Sequence, residues 1–166
     1  MKYLKQFITP ISGLPEGEHW FDFEIRKEFF ECFENSDILD ANIVLKLQLI
    51  KRSTMLELEF SFAGTVNVEC DRCISPVDIP IELTEKIIAK FGNDAYDEAA
   101  EVLVIPFNEP EFDVSKLVYE LIFLGLPMKR VHNEGECLEG IEDRISSTED
   151  NSDDEIDPRW AQLKNL

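Results

Sequence analysis

The chain has 166 residues, 44% of them hydrophobic, and a formal net charge of −19 at pH 7. This length and composition predict one folded domain with a sizeable core, and they exclude global disorder, collagen-like sequence and a disulfide scaffold. So acidic a chain should be repelled by bulk nucleic acid and by anionic membranes, which favours a basic partner.

Nothing in the sequence predicts a membrane span, because no stretch reaches the roughly 18 uncharged apolar residues that a span needs. The longest apolar stretch, residues 117–128, contains Glu120. Residues 1–17 also lack the continuous apolar segment of a signal peptide. We therefore expect a cytoplasmic protein without a membrane partner, whose four cysteines are reduced or metal-bound rather than paired in disulfides.

The beginning of the chain predicts extended structure with one ambiguous segment. Residues 1–18 read as a strand or extended segment that ends in a turn, and residues 19–25 read as a half-buried strand. Residues 26–34 fit either a helix or a strand, and residues 35–37 fit a turn. The apolar members of the first alternating strand are Trp20, Phe21, Phe23 and Ile25.

The middle of the chain gives the strongest β prediction. Residues 41–50 alternate Val44 and other apolar residues with polar ones, and residues 55–64 alternate in the same way. Residues 65–70 continue the pattern, so the three segments together predict an antiparallel meander. In the second segment the apolar positions are Leu56, Leu58, Phe60 and Phe62.

Further strands and one main helix are expected after the meander. Residues 77–91 predict a strand region that is broken at Pro80, and residues 101–107 predict a short strand after an acidic loop. From Phe112 onwards, apolar residues recur at the spacing of one helical face, with Asp113 as the N-cap. That face consists of Val114, Leu117, Val118, Leu121, Ile122 and Leu124.

The composition changes after residue 133. Residues 134–157 hold eleven Asp or Glu residues and one basic residue, which predicts a solvated, flexible acidic segment. Residues 158–166 predict a short C-terminal helix that Asp157 caps and that needs a surface to dock on. We thus expect an α+β fold, with a mainly antiparallel β-sheet and one main helix in residues 1–133, before these two C-terminal parts.

Four residues predict a structural zinc site. Cys70 and Cys73 have two residues between them, a spacing that lets two thiolates bind one Zn²⁺ ion. One such pair supplies only half of a tetrahedral site. His132 and Cys137, with four residues between them, offer the other half, so the sequence predicts a Cys₃His site.

Two other interpretations of Cys70 and Cys73 remain open. They would form a redox dithiol if Arg72 lowered the pKa of the first thiol, although a thioredoxin-like pair opens a helix within a βαβ pattern. Otherwise they are two inert, partly buried thiols at the end of a strand. Cys32, which lies among phenylalanines, is expected in the core.

Signatures of catalysis are missing from the sequence. We find no Gly-rich phosphate loop, no nucleophile elbow and no His-Glu-x-x-His segment. The two histidines leave few candidates for a nucleophilic triad. These observations favour a protein that is not an enzyme and has no small-molecule substrate.

The basic residues are few and scattered, but three of them lie close to the predicted zinc ligands in the sequence. Arg72, Lys129 and Arg130 would come together if the two halves of the zinc site meet. They would then form a small patch that contacts phosphate groups. Ordinary surface charge is the alternative interpretation.

Three segments, in order along the chain, resemble the YceD-like family, whose members are linked to accumulation of large-subunit ribosomal RNA in bacteria and plastids. The segments are VECDRCISPVDIPI at 68–81, FDVSKLVYELIFLGLPMKRVH at 112–132 with the later Cys137, and DEIDPRWAQLKNL at 154–166. The resemblance covers roughly residues 60–166. Each segment alone is a weak signal, and the ordered set is fairly specific.

The resemblance can be carried over residue by residue. Cys70 and Cys73 fall on the family's first cysteine pair, and His132 and Cys137 fall where some members carry His and Cys. This chain departs from the cysteine-rich members because residues 138–157 contain no cysteine. The family's terminal motif, which the resemblance makes a candidate binding element, falls on Asp157, Pro158, Arg159 and Trp160.

The resemblance implies a non-catalytic role in ribosome assembly, with ribosomal RNA or a basic ribosomal or assembly protein as the partner. The net charge of −19 favours a protein partner, since phosphate groups would be repelled. The alternative class is a redox or zinc-sensing thiol protein. Simple RNA binding is a third reading, which a steeply salt-dependent affinity would support.

Overall fold

The computed structural model describes residues 3–34, 36–92, 96–97 and 102–138. The predicted C-terminal helix and most of the predicted acidic segment lie outside the described residues. Four of the candidate binding residues also lie outside the described residues: Asp157, Pro158, Arg159 and Trp160.

Strands dominate the described part of the chain. After a 3₁₀ helix at Tyr3–Phe7, the strands are β1 (Ile8–Pro10), β2 (Gly17–Arg26), β3 (Ile38–Lys51), β4 (Met55–Glu69), β5 (Pro76–Gly92), β6 (Tyr96–Asp97), β7 (Val102–Pro106) and β8 (Glu111–Asp113). The α-helices are the short α1 (Lys27–Phe30) and the longer α2 (Ser115–Gly125). The predicted α+β class, with a mainly antiparallel sheet and one main helix, is confirmed.

The main sheet has six strands in the order β2-β3-β4-β5-β7-β6. Its first four strands are antiparallel neighbours: tight turns join β3 to β4 and β4 to β5, whereas residues 27–37, which include α1, join β2 to β3. The meander predicted over residues 41–70 is antiparallel, but residues 55–69 form one strand. The short strand β7 pairs with β5 in parallel, which the sequence did not indicate. A separate two-stranded sheet joins β1 to β8.

The core lies on one side of the main sheet, and alternation along the strands explains why. Leu45, Leu47 and Leu49 of β3 are fully buried on this side, while their neighbours point away from it. Helix α2 packs on the same side through its buried apolar face, which includes Val118 and Ile122. No helix among the described residues is long and apolar enough to cross a membrane.

Several local predictions need correction. The beginning of the chain forms a 3₁₀ helix before its short strand, rather than only extended structure. Strand β5 runs through Pro80 without a break, since β5 has only β4 beside it at that position and proline is tolerated where one side of a strand is unpaired. Helix α2 begins at Ser115 with Val114, rather than the predicted Asp113, as its N-cap residue, and the Asp113 carboxylate accepts the Ser115 N–H over 2.8 Å.

Three apolar side chains are less buried than the sequence suggested. Trp20 is 62% exposed and Val44 is 45% exposed, because both lie on the side of the sheet that faces away from the core. Cys32 is only partly buried, and its thiol donates a hydrogen bond to the Glu28 carbonyl oxygen over 3.2 Å. Cys32 therefore lies partly buried in the turn after α1 rather than in the core.

Candidate metal centre

The turn between β4 and β5, which we call the cysteine turn (residues 70–75), forms the first half of the site. The Cys70 N–H donates a hydrogen bond to the Ser75 carbonyl oxygen over 2.9 Å, and the Ile74 N–H donates to the Cys70 carbonyl oxygen over 2.9 Å. These bonds close the turn, in which Ile74 has a φ of 62°. Cys70 and Cys73 are both buried, with 1% and 7% exposure.

Backbone N–H groups surround the two buried thiols. The donors to Cys70 Sγ are the N–H groups of His132, Arg72 and Cys73. The donors to Cys73 Sγ are the N–H groups of Ser75 and Leu138. Because these donors point their positive ends at sulfur, they stabilise the thiolate form, which is the form that binds metal.

The segment that follows α2 returns to the cysteine turn and supplies the second half. The Asp71 N–H donates to the Arg130 carbonyl oxygen over 2.8 Å, and the Arg130 N–H donates to Asp71 Oδ2 over 2.7 Å. The Arg72 guanidinium donates to the His132 carbonyl oxygen. These three bonds fix the returning segment beside the turn, so that distant parts of the sequence meet.

A further hydrogen bond aims the His132 ring at the thiols. The ring Nε2 donates to the Pro76 carbonyl oxygen over 3.1 Å. Donation from Nε2 leaves Nδ1 without its proton in the neutral ring, and Nδ1 is the atom that faces the cysteines. Metal-binding histidines are commonly oriented by a bond of this kind to their other ring nitrogen.

The four candidate ligand atoms lie close enough to hold a metal ion, all within 4.8 Å of one another. Cys70 Sγ is 4.0 Å from Cys137 Sγ. His132 Nδ1 is 3.4 Å from Cys73 Sγ and 3.9 Å from Cys137 Sγ. Since Zn–S bonds of about 2.3 Å in a tetrahedron place two sulfurs about 3.8 Å apart, these separations fit the ligand set of a Cys₃His zinc site.

The thiols differ in how readily they lose a proton. Burial alone raises the pKa of Cys70, but the N–H donors of His132, Arg72 and Cys73 outweigh it and lower this pKa to about 5. The pKa of Cys73 is also lowered, because the N–H groups of Ser75 and Leu138 outweigh the opposing effect of burial. At neutral pH the Cys70 sulfur is therefore a thiolate, and the Cys73 sulfur loses its proton more readily than an ordinary thiol.

The other two groups hold their protons more firmly. Burial, together with hydrogen bonding to the other two thiols, raises the pKa of Cys137 to about 11. The pKa of His132 is raised by its hydrogen bond with Cys70, against the opposing effect of burial. The arrangement thus contains both thiolate ligands and groups that must release a proton before they bind a cation.

The three predicted basic residues lie around this centre, but in different surroundings. Arg72 and Lys129 line a cavity of about 610 Å³ next to His132. Arg130 lies instead between two carboxylates, with its guanidinium 3.8 Å from Asp71 and 3.9 Å from Asp37. The structure therefore brings the three cations near one another, and acidic side chains offset the charge of Arg130.

The sequence analysis did not predict two residues that position the ligands of the centre. Asp71 links the two halves through its backbone and its side chain, and Pro76 accepts the bond that orients His132. The position of Asp71 between the two cysteines was a usable signal. Nothing in the sequence marked Pro76, because its role belongs to a backbone carbonyl.

Fold and site together define a β-rich protein with a centre of three thiols and one imidazole between a strand turn and the segment that follows the main helix. Residues 58–166 match the family described as "Large ribosomal RNA subunit accumulation protein YceD", and the chain belongs to this family. The resemblance seen in the sequence is thereby confirmed.

One curated relative matches along nearly the whole chain. "Uncharacterized protein YlbN" of Bacillus subtilis (strain 168) is 26% identical over 171 residues, which cover 98% of this chain and 96% of that protein. No solved structure matches this chain. The family description thus points to large ribosomal RNA subunit accumulation, and the geometry of the centre points to metal binding.

Proposed function

We propose that this protein supports accumulation of the large ribosomal RNA subunit as a non-enzymatic binding factor in the cytoplasm, and that Cys70, Cys73, His132 and Cys137 hold a structural zinc ion. The family description supports the role in ribosomal RNA accumulation. The observation that carries the zinc site is the convergence of the four ligand atoms within 4.8 Å.

The chemistry of the ligand set favours a structural over a catalytic zinc. Four protein ligands complete a tetrahedral shell, whereas catalytic zinc keeps one position for water or substrate. A zinc ion in this place would tie the cysteine turn to the segment after α2. It would thereby fix Arg72 and Lys129 beside each other on the surface.

The partner that we propose is a basic ribosomal or assembly protein, or ribosomal RNA contacted through a small basic patch. The net charge of −19 favours the basic protein. The patch would consist of Arg72, Lys129 and Arg130. We further propose that the acidic segment 134–157 attracts the partner and that the terminal helix contacts it through Asp157, Pro158, Arg159 and Trp160.

A redox or zinc-sensing thiol protein is the second candidate, and the lowered pKa of Cys70 favours it. The burial of Cys70 counts against it, because redox-active thiols need access to an oxidant. A reversible disulfide between Cys70 and Cys73 under mild oxidation, with zinc released at the same time, would support this candidate.

The zinc site is tested on protein purified without a histidine tag. We expect one zinc per chain by elemental analysis, and we expect Cys70→Ser and Cys137→Ser each to lose it because each removes one thiolate ligand. Cys32→Ser is the matched control and should keep the metal, since Cys32 lies in the turn after α1 and is not among the four clustered ligands. Zinc-free protein with the native circular dichroism spectrum would contradict the site.

The role in ribosomal RNA is tested separately in a bacterial strain that lacks its own family member. The wild-type chain and Cys32→Ser should restore the ratio of large- to small-subunit ribosomal RNA. Deletion of residues 146–166 should lower this ratio if the C-terminal parts hold the partner. Full restoration by the deleted chain would overturn that assignment, and failure of the wild-type chain would overturn the proposed function in that host.

A further inference from the structure

One side of the main sheet is uncovered by any element among the described residues. This outer face is formed by the side chains of β2–β5 that point away from the core, on the side opposite α2. The strand register aligns them in rows across the sheet. The row at its centre consists of Trp20, Gln48, Glu59 and Lys86.

Three large apolar side chains of the outer face are exposed to solvent. Trp20 is 62% exposed, Val44 is 45% exposed and Ile88 is 49% exposed. A shallow cavity of about 110 Å³ lies beside them, between Ile50 and Ile88. Because exposed apolar patches mark contact sites and Trp is enriched among the residues that dominate binding, this side of the sheet is suited to a partner.

The charge of the same face determines which partner fits. Nine carboxylates and four cations project from it, which gives a formal net charge of −5. Some of these charges are already paired: Lys86 lies 2.8 Å from Glu59, and Arg52 at the sheet end binds Glu57. Glu18 and Asp22, which flank Trp20 on β2, have no ion pair among the described residues.

We propose that the outer face binds an extended arginine- and lysine-rich segment of a partner protein, with Trp20 as its anchor. A guanidinium or ammonium group stacks on the indole ring by cation–π attraction, and the Glu18 and Asp22 carboxylates pair with cations on either side of it. The aliphatic stems of the same side chains cover Val44 and Ile88. This inference deepens the proposed function and rests on it for the expectation of a basic partner.

Charge excludes the main competing occupants. Phosphate groups of RNA would meet a surface with a net charge of −5, so RNA is not the ligand of this face. A second copy of the chain would bring the same negative charge against it. Residues 139–157 hold nine Asp or Glu residues and one basic residue, so this part of the chain would also be repelled.

The probe for the test is a synthetic peptide of alternating arginine and threonine, and the readout is fluorescence of Trp20 in full-length protein that carries Trp160→Phe. We expect saturable binding that weakens as salt rises. The double variant Glu18→Lys with Asp22→Lys should weaken binding by about tenfold, since it removes both flanking carboxylates. Trp20→Ala, followed by calorimetry, should weaken it to a similar degree.

The matched control is Glu109→Lys with Glu111→Lys, which changes the net charge equally at exposed positions outside the outer face. This control should bind the peptide like the parent protein. Equal weakening by the control, or unchanged binding by the Trp20 and Glu18/Asp22 variants, overturns the proposal. So does a dimer that Trp20→Ala dissociates in sedimentation velocity, or a single-stranded RNA that displaces the peptide.

The two proposals fail in distinguishable ways. Zinc content and ribosomal RNA ratio do not enter the peptide experiment, and the peptide does not enter the cellular one. If the peptide does not bind the outer face but the chain restores the ribosomal RNA ratio in cells, the proposed binding surface is wrong and the proposed function stands.

Discussion

Ile74, the residue that follows the cysteine pair, has a backbone conformation that β-branched side chains avoid. Its φ is 62°, and its side chain is 72% exposed. The conformation allows the Ile74 N–H to donate to the Cys70 carbonyl oxygen while the Ser75 carbonyl accepts the Cys70 N–H. The cysteine turn therefore stores strain, of the order of 1–3 kcal/mol, that packing of the exposed side chain does not offset.

Replacement of this residue should release the strain. Asparagine tolerates the left-handed region better than isoleucine, so Ile74→Asn should raise the free energy of unfolding by about 1 kcal/mol. Urea unfolding of the metal-free protein measures the change. Ile88→Asn makes the same substitution at an exposed strand position and should lower stability. A destabilised Ile74→Asn protein would show that the turn is not strained.

At this scale the sequence identified the candidate ligands but not their surroundings. Cys70, Cys73, His132 and Cys137 could be chosen because metal sites restrict residue type and spacing. The backbone donors around the sulfurs could not be chosen, since every residue has an N–H group and only the fold decides where it points. The Pro76 carbonyl oxygen, which orients His132, could not be chosen for the same reason, since every residue has a carbonyl group.

Among the elements, the strands with strict alternation were predictable and their irregularities were not. Alternating residues placed β3 and β4 correctly, because one side of each strand must be apolar to face the core. The exposure of Trp20 and Val44 could not be predicted from hydropathy, since both are apolar residues on the outer face. The parallel pairing of β7 with β5 depends on a chain path that no local pattern encodes.

Gly64 is an element-scale requirement that the alternation does not reveal. It lies in the middle of β4, opposite Ile43 of β3. A Cβ atom at this position would collide with the Asn42 carbonyl oxygen and approach the Ile43 Cα to 2.7 Å. Both atoms belong to the backbone of a paired strand, so they cannot rotate away as a side chain would.

We therefore expect Gly64→Ala to lower the free energy of unfolding by about 3 kcal/mol through local displacement of β3 from β4. Chemical denaturation monitored by far-UV circular dichroism measures this loss. Gly13→Ala is the control, because a Cβ there meets nothing within 4 Å. Gly13→Ala should stay within about 0.5 kcal/mol of the parent, and equal effects of the two variants would refute the steric argument.

For the whole molecule, the net charge of −19 could be read from the sequence, but its distribution could not. Only the folded sheet shows that carboxylates share the outer face with exposed Trp20, while Arg72 and Lys129 lie beside the candidate metal centre. The two surfaces therefore differ in charge: carboxylates outnumber cations on the outer face, whereas Asp71 and Glu134 balance Arg72 and Lys129 in the cavity beside the thiol centre. If the proposed partner binds the outer face, the thiol centre remains a separate surface with a different charge.

The affinity of the thiol centre for a metal ion should depend on pH. Zinc requires thiolate and neutral imidazole, so each ligand that carries a proton must lose it on binding. Burial raises the pKa of Cys137 to about 11, so this thiol is protonated at pH 7. The pKa of Cys70 is about 5, because its N–H donors outweigh the effect of burial, so this sulfur is already a thiolate.

We expect zinc binding at pH 7 to release at least about one proton, from Cys137, together with any proton that Cys73 or His132 still carries. Raising the pH removes these protons in advance, so affinity should rise by about tenfold per pH unit for each proton released. Titration calorimetry in buffers of different ionisation enthalpy measures the proton count. The control variant Cys32→Ser should release as many protons on zinc binding as the parent protein. A count of zero would mean either that Cys137 does not bind the metal or that it is already a thiolate, and in the second case the raised pKa assigned to it would be wrong.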